Sequence, residues 1–372
     1  MRLKNFFKLL RLGYKYPRTA FNTIKFGCGH KIRPGYTLPF PRLVKFYITN
    51  NCNLNCPDCL NAAFRKEHFQ KADLSLDSIK KLLPELRRYK PFIYITGGEP
   101  LVHPQIFPVI NLFSQNNIFT SMTSNGFLLE QYADQIVNSR LDYLSLSLDH
   151  YKSQKHDRIK GKKNSFKRLM NGLNYLVKIR KNTPYNIKLN TVITRDNYQE
   201  LTDMQDYIDT LGVDEWSLQH FSYTTPQARK KNTAFRGKTG IGSYVEGAAV
   251  KEPTYLSNEQ ISILHEQLHK IKKKQPQFRT KVTIKPDIDS LEAYYSGRFP
   301  SRTSSCTLPF DTVSIFEDGK ITLCLGKEIG NLESGTIKAA WHSPAARNFR
   351  KLLLKQKLFP PCFRCCNLKY RF

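Results

Sequence analysis

"LVKFYITNNCNLNCPDC", residues Leu43–Cys59, joins a short aromatic and β-branched run to a loop that carries Cys52, Cys56 and Cys59. The first seven residues read as a strand, because Val, Phe, Tyr, Ile and Thr fill them and no Gly or Pro interrupts. The loop follows at once, with gaps of three and then two residues between its thiols. Such gaps are metal-ligand spacing, yet a closed site wants four ligands. What surrounds this first strand decides what the loop is for.

Five similar runs follow it: "FIYITG" (92–97), "IFTSMTS" (118–124), "LDYLSLSLD" (141–149), "NIKLNTVIT" (186–194) and "DEWSLQHF" (214–221). Helix-length segments lie between them, among them Asp77–Tyr89, Pro104–Gln115, Ser165–Lys181 and Tyr198–Leu211. Six strand–helix repeats predict a parallel sheet with helical crossovers. Six are too few to close an eightfold barrel. The expected fold is therefore α/β, a partial (βα)6 parallel-stranded barrel, followed by a small cysteine-rich C-terminal region. The expected boundaries are a basic amphipathic segment over 1–42, the barrel over 43–225, a basic loop and helical linker over 226–299, and the cysteine-rich region over 300–372. Within the linker, Thr225–Tyr255 is basic and Gly-rich and reads as a long loop. Ser257 with Gln260 then forms a capping-box pattern for a helix to about Lys273, followed by a short strand, "KVTIKP".

The unusual tetrapeptides all fall at strand ends. The three-cysteine loop follows strand 1, "GGEP" (Gly97–Pro100) follows strand 2, "TSNG" (Thr123–Gly126) ends strand 3 and "SLD" (Ser147–Asp149) ends strand 4. In barrels of parallel strands these loops converge on one face, where active sites sit. Three thiolates on one loop suit an iron–sulfur cluster with one iron left for a small chelating molecule. Gly97 and Gly98 permit close backbone approach, and Glu99 offers a carboxylate to an ammonium group. Ser124, Asn125 and Ser147 supply neutral donors and acceptors, and Arg158 could clamp a carboxylate. Together they describe a pocket for a zwitterionic nucleoside beside a cluster. A zinc knuckle completed by His68 is the alternative, and it leaves "GGEP" and the strand positions unexplained. Asp149 is read either as a proton relay or as a cap or turn residue.

"CNLNCPDC" with the "GGEP" that follows it resembles the radical S-adenosylmethionine enzyme superfamily over roughly residues 43–225. "HDRIKGKKNSF" (His156–Phe166) further resembles the branch that includes sulfatase-maturing and peptide-modifying enzymes. The resemblance implies that Cys52, Cys56 and Cys59 hold a [4Fe–4S] cluster with an open iron site, and that this iron binds the amino and carboxylate groups of S-adenosylmethionine. It implies that Glu99 and the Gly97–Gly98 backbone hold the methionine amino group, and that Ser124, Asn125, Ser147 and Arg158 form the rest of the cofactor-binding set. It implies reductive cleavage to a 5′-deoxyadenosyl radical, hydrogen abstraction from a substrate carbon, and a small electron donor of the flavodoxin or ferredoxin type. One departure stands out: many members carry an aromatic residue just before the third cysteine, to pack on the adenine, and here Asp58 occupies that place. Adenine packing is expected instead from strands 5 and 6.

Near the C-terminus, Cys306, Gly319 and Cys324, then "CFRCC" (Cys362–Cys366), resemble the start and end of the SPASM/twitch auxiliary-cluster region, with "WHSPAARNFR" (Trp341–Arg350) as the helix between. The full form has seven cysteines and two clusters. Five are present here, so one auxiliary [4Fe–4S] cluster on Cys306, Cys324, Cys362 and Cys365 is expected, with Cys366 spare or competing with Cys365. Zinc in a four-thiolate site is the alternative on spacing alone. Four protein thiolates close a site, which favours electron transfer over direct binding.

Lys and Arg number 59 against 30 Asp and Glu, a net charge of +29, and the first 50 residues contain no acid. That field favours anionic partners, unless the lysines lie only on solvated faces. "MRLKNFFKLLRLGYKYPR" (1–18) reads as one basic amphipathic helix, expected on an anionic membrane surface or packed on the protein's own body. No apolar run approaches the roughly 18 residues of a spanning helix. No secretory signal precedes the clustered cysteines, which points to a cytoplasmic protein, peripheral on the inner face of the membrane if the helix docks there. The lone Cys28 reads as an inert small residue. The basic N-terminus favours a lipid or lipid-linked glycan substrate; the branch resemblance favours a peptide or protein, and a single auxiliary cluster also suits a sugar alcohol dehydrogenase. A cluster-bearing nucleic-acid regulator is the reading from another class. The complete cofactor set argues against it, because a binder needs no open iron.

Overall fold

The computed structural model describes residues 13–33, 35–59, 73–180, 185–241, 248–249, 255–298, 302–303 and 306–371. His68 and residues 1–12 of the expected N-terminal helix lie outside this set. The six expected strands form as read: β1 (Leu43–Tyr47), β2 (Phe92–Thr96), β3 (Thr120–Ser124), β4 (Tyr143–Ser147), β5 (Asn186–Ile193) and β6 (Glu215–His220). The crossovers are helical: α2 (Leu76–Tyr89), α3 (Ile106–Gln115), α4 (Leu129–Asn138), α5 (Ser153–Lys160), α6 (Ser165–Ile179) and α7 (Leu201–Thr210). Along β5 every second residue is buried, Ile187, Leu189, Thr191 and Ile193, which leaves Lys188 and Asn190 on the concave face.

The sheet is wider than six strands. β7 (Lys281–Lys285), from the "KVTIKP" run, pairs in parallel with β6. On the other side β8 (Thr312–Ile315) pairs in parallel with β1, and β9 (Lys320–Thr322) and β10 (Glu328–Asn331) continue it in antiparallel fashion. The order β10-β9-β8-β1-β2-β3-β4-β5-β6-β7 leaves two different strands at the edges, so the barrel stays open. The cysteine-rich C-terminal region is thus hydrogen-bonded into the barrel's own sheet. Arg42 and Asp311 reinforce the seam: Nε and Nη2 donate to the two carboxylate oxygens at 2.8 and 2.5 Å.

Two expectations need correction. Thr225–Tyr255 is not all loop, because Pro226–Thr239 forms helix α8. Thr225 caps its first turn, Pro226 takes the first helical position, and Gly240 ends it at φ +62°. No strong periodicity marks it, since only Ala228 and Asn232 are buried. The expected single helix over 1–18 is also interrupted. Residues 13–15 are helical, but Tyr16 leaves the helical region and a new helix, α1 (Pro17–Ile32), starts at the proline. Pro17 lacks the N–H that a continuing helix would use.

Helix α1 crosses the end of the barrel where the strands begin. Tyr16 and Lys15 donate to Asp142, one residue before β4, at 2.6 and 2.7 Å. Thr19 and Asn22 donate to the carbonyls of Lys90 and Tyr89, just before β2, at 2.8 and 3.1 Å. The capping box of α9 (Asn258–Lys274) forms as expected, with Ser257 and Gln260 bonding each other's backbone N–H. Helices α10 (Leu291–Tyr295), α11 (Ile337–Trp341) and α12 (Pro344–Gln356) are the last α-helices among the described residues.

Candidate active site

At the other end of the barrel, the three-cysteine loop is pinned by the turn that follows β2. The Gly98 and Glu99 amides donate to the carbonyls of Thr49 and Asn51, both at 2.7 Å. A Cβ on Gly98 would lie 1.9 Å from the Asn51 oxygen, and one on Gly97, at φ +142°, 2.3 Å from that of Thr49. Only glycine lets these two backbones meet. The pair therefore sets where Cys52 begins.

Glu99 is buried at 1% exposure and its carboxylate gathers the neighbouring turn. Oε1 accepts from the Ser124 hydroxyl (2.8 Å) and the Leu101 amide (3.0 Å), and Oε2 from the Asn125 amide (2.7 Å). Burial pushes this carboxyl up, and those donors pull it back toward ionisation. Asn125 in turn spans to the cysteine loop: its Nδ2 donates to Asn53 Oδ1 at 2.8 Å and lies 3.9 Å from Cys52 Sγ.

The end of α5 supports the loop from beneath, through residues the sequence reading did not assign. Lys160 is buried and donates to Asp149 at 2.6 Å, while Asp149 also accepts from the Val192 amide. Burial works against the charge on both, but each partner outweighs it, so Asp149 sits below and Lys160 above its ordinary range. Asp149 is thereby an ion-pair partner rather than a cap. Gly161, at φ +62°, lets the chain turn against the loop, where a Cβ would lie 2.2 Å from the Asn55 oxygen. Lys162 donates to the Asn53 carbonyl at 2.9 Å. Burial raises the Cys56 thiol to about 11, with the Lys160 charge as the opposing influence. The run "IKGKK" carried the signal, but only placing β4 shows that it faces the cysteines.

Ser147 lies half-buried at the top of β4. Opposite it in register stand Asn190, Ser217 and Thr283, a row of neutral hydrogen-bonding side chains across β4–β7. Lower down, Tyr143 donates to Glu215 at 2.8 Å with Lys188 over its ring, which fills the barrel floor. Arg158 is exposed on α5 and pairs with Asp196, a contact the sequence reading did not foresee. Asp58 has an exposed side chain whose carboxyl is partly withdrawn from water; that withdrawal, then Asp196, raise it, and Arg195 opposes them. Past the ends of β5 and β6, Arg195 lies over the Tyr255 ring, which stacks on Phe221 at 4.4 Å.

The second set of cysteines lies near β1, where Cys324 and Cys366 both act on the Tyr47 hydroxyl. Burial, then the neighbouring Cys365, Cys362 and Cys306, push the Cys324 thiol well up, and burial raises Cys306 and Cys362 to about 11 and 12. Cys365 moves the other way, to about 6, because Cys366 donates to it. Asn367 Nδ2 lies 3.8 and 3.7 Å from the two sulfurs. Arg364, between Cys362 and Cys365 in sequence, is fully buried, stacked 3.7 Å from the Tyr223 ring centre, with Nε donating to the Tyr294 carbonyl.

The donors fit the groups that the motifs imply. Three thiols with an amide donor and a buried cation beside them suit an anionic iron–sulfur cluster, and four thiols that act on one another's ionisation suit a second, although among the described residues no group of three or more is placed to hold a single metal ion. Residues 46–208 match the Radical SAM superfamily, and residues 306–366 match SPASM, an iron–sulfur cluster-binding domain. Together the two span more than half of the 372 residues. Residues 46–208 are thus a radical SAM domain and residues 306–366 a SPASM region, which implies a [4Fe–4S] cluster, S-adenosylmethionine and a further iron–sulfur cluster.

Among relatives, it is 26% identical over 191 residues to an AdoMet-dependent heme synthase of Methanosarcina barkeri, covering 51% of this chain and 52% of that protein. It thus spans about half the length of the curated heme synthases it matches. It is 23% identical over 333 residues, 86% of this chain and 85% of the relative, to the tungsten-containing aldehyde ferredoxin oxidoreductase cofactor-modifying protein of Pyrococcus furiosus. In fold it is similar to Streptococcus suis SuiB bound to precursor peptide SuiA, with a TM-score of 0.61 at 17% identity over 89% of this chain and 71% of that one. That likeness carries the partial-barrel fold.

Proposed function

We propose that this chain is a radical SAM enzyme acting on a hydrophilic substrate that enters at the C-terminal ends of the strands. The observation that carries the reading is the three-cysteine loop locked to Gly97–Gly98 and, through Asn125, to the Glu99 network. When bound, the cluster and S-adenosylmethionine supply a 5′-deoxyadenosyl radical that takes a hydrogen atom from a substrate carbon. The chain's own part is positioning. Cys52, Cys56 and Cys59 hold the cluster, and Gly97, Gly98 and Glu99 receive the methionine amino group. Ser124, Asn125 and Ser147 receive the ribose and carboxylate, with Arg158 at the rim. Because Glu99 already accepts three donors, its role is to fix Ser124 and Asn125 as much as to meet the ligand. Cys306, Cys324, Cys362 and Cys365 hold the auxiliary cluster, a closed site suited to passing electrons, and a flavodoxin- or ferredoxin-type donor supplies them.

The concave row Ser147, Asn190, Ser217 and Thr283 offers hydrogen bonds rather than an apolar wall. That supports a glycan or a peptide segment over an acyl chain. The peptide reading draws further support from SuiB, a similar fold bound to a precursor peptide. Anaerobic reconstitution with S-adenosylmethionine and a strong reductant tests the activity. Wild type is expected to release 5′-deoxyadenosine and Cys52→Ala none; equal absence from both would sink the proposal. Extract fractions that exchange deuterium with the 5′-deoxyadenosyl group then report the substrate class.

A further inference from the structure

Helix α1 has two apolar faces, and among the described residues only one is packed. Phe26 and Ala20 are buried against the barrel, yet Phe21 is 62%, Ile24 53% and Ile32 84% exposed. At 100° per residue these three fall within one stripe, and Cys28, also exposed, lies between them. Tyr14, 95% exposed, precedes the stripe at a seven-residue spacing from Phe21. Basic residues rim it, Arg18 and Lys25 along one edge and Lys31 along the other. No Asp or Glu occurs before Asp58, so the rim charge has no local acidic counterpart in sequence.

We infer that this face of α1 docks on an anionic lipid bilayer. Isolated exposed apolar residues are ordinary, but a helical stripe bordered by cations on both edges matches a headgroup interface. The apolar side chains enter the acyl boundary while lysine and arginine stems reach the phosphates. A protein partner covering the same stripe would need its own acidic border, and a second copy meeting it through the same stripe brings only like charge. The inference does not rest on the proposed enzymatic activity.

The position of α1 sets the orientation. Thr19 and Asn22 on its inner face bond to Lys90 and Tyr89, and Tyr16 just before it bonds to Asp142, all residues that precede strands. The cysteine loop lies at the opposite ends of strands of five or more residues, which is roughly 17 Å or more away at about 3.3 Å per residue. A bilayer on α1 therefore leaves the active-site mouth facing the aqueous side. Docking at α1 localises the protein without presenting the lipids of that bilayer to the site.

Flotation of the full-length chain with phosphatidylglycerol and with phosphatidylcholine vesicles tests this, at low and at high salt. The expected result is flotation with the anionic vesicles alone, weakened by salt. Phe21→Ser/Ile24→Ser/Ile32→Ser and, separately, Lys25→Glu/Lys31→Glu should each reduce the bound fraction more than about tenfold. Both variants change exposed side chains only, and an unchanged circular dichroism melt confirms that they fold. Wild-type protein that stays with the buffer, or a triple-serine variant that floats as well as wild type, overturns the inference. So does a wild-type dimer by light scattering that the triple-serine variant turns into a monomer without any vesicle binding.

Discussion

Glu99 shows how one side chain can organise a site that it also faces. Three protein donors converge on a carboxylate withdrawn from water. Glu99→Ala would leave the Asn125 and Leu101 amides unpaired in a buried turn, at a cost of about 3 kcal/mol. Urea unfolding is expected to show that loss, and S-adenosylmethionine binding should fall with it. Lys160 is the second case. Lys160→Met strands a buried Asp149 carboxylate and should cost about 3–5 kcal/mol, while adding Asp149→Asn should recover a large part. A double-mutant cycle that shows simple additivity would remove the pair's role. The sequence reading singled out Glu99 because "GGEP" is an unusual tetrapeptide at a strand end. It did not find the Lys160 pairing, because nothing in "HDRIKGKK" says which of its cations turns inward until β4 and α5 are placed.

At the scale of elements, β1 to β6 were legible because each is a short β-branched run with turn residues behind it. Helix α8 was not, because its buried face is only Ala228 and Asn232 and its composition is that of a basic loop. Its ends nevertheless carried readable signals: Thr225 before Pro226, and Gly240 after the last turn. Those ends also predict its sensitivity. Thr225→Ala should cost about 1 kcal/mol by leaving the Ala228 amide without its cap. Gly240→Ala, at φ +62°, should cost about 1 kcal/mol through the left-handed backbone. Amide exchange across Pro226–Thr239, faster in both variants than in wild type, is the measurement that checks them. The strand pairing of β7 and β8 was hidden for a different reason. Both are four or five residues long, and their partners lie far away in sequence, so local pattern could not choose the neighbour.

For the whole molecule, two consequences follow from burial and from that long-range pairing. His156 and His220 are buried, and burial pushes both down to about 3. Each folded value lies below the ordinary 6.5, so the unfolded chain takes up protons first. Their neutral burial is therefore tolerated above pH 6.5, and stability falls as pH drops from there toward 3. By pH 5 the expected loss is about 2 kcal/mol for each histidine. His220→Asn should roughly halve the slope of urea midpoint against pH, whereas an unchanged slope would assign the acid sensitivity elsewhere.

The second consequence concerns cooperativity. β8 is the neighbour of β1, Arg42 clasps Asp311, the Trp341 indole donates to the Leu38 carbonyl at 3.0 Å, and Glu85 accepts from the Ile337 and Lys338 amides. Removing the C-terminal region would uncover the β1 edge and strip Tyr47 of the Phe316 ring stacked on it at 4.5 Å. The barrel and the auxiliary region should therefore unfold as one unit rather than as two domains in sequence. Tryptophan probes them separately, since Trp216 sits on β6 and Trp341 on α11. With Trp216→Phe and Trp341→Phe each leaving one reporter, the two fluorescence transitions are expected to share a midpoint in urea. Two separated midpoints would mean that the shared sheet does not couple the regions. In that case the seam at Leu43–Thr312 is a docking contact and not the core of the fold.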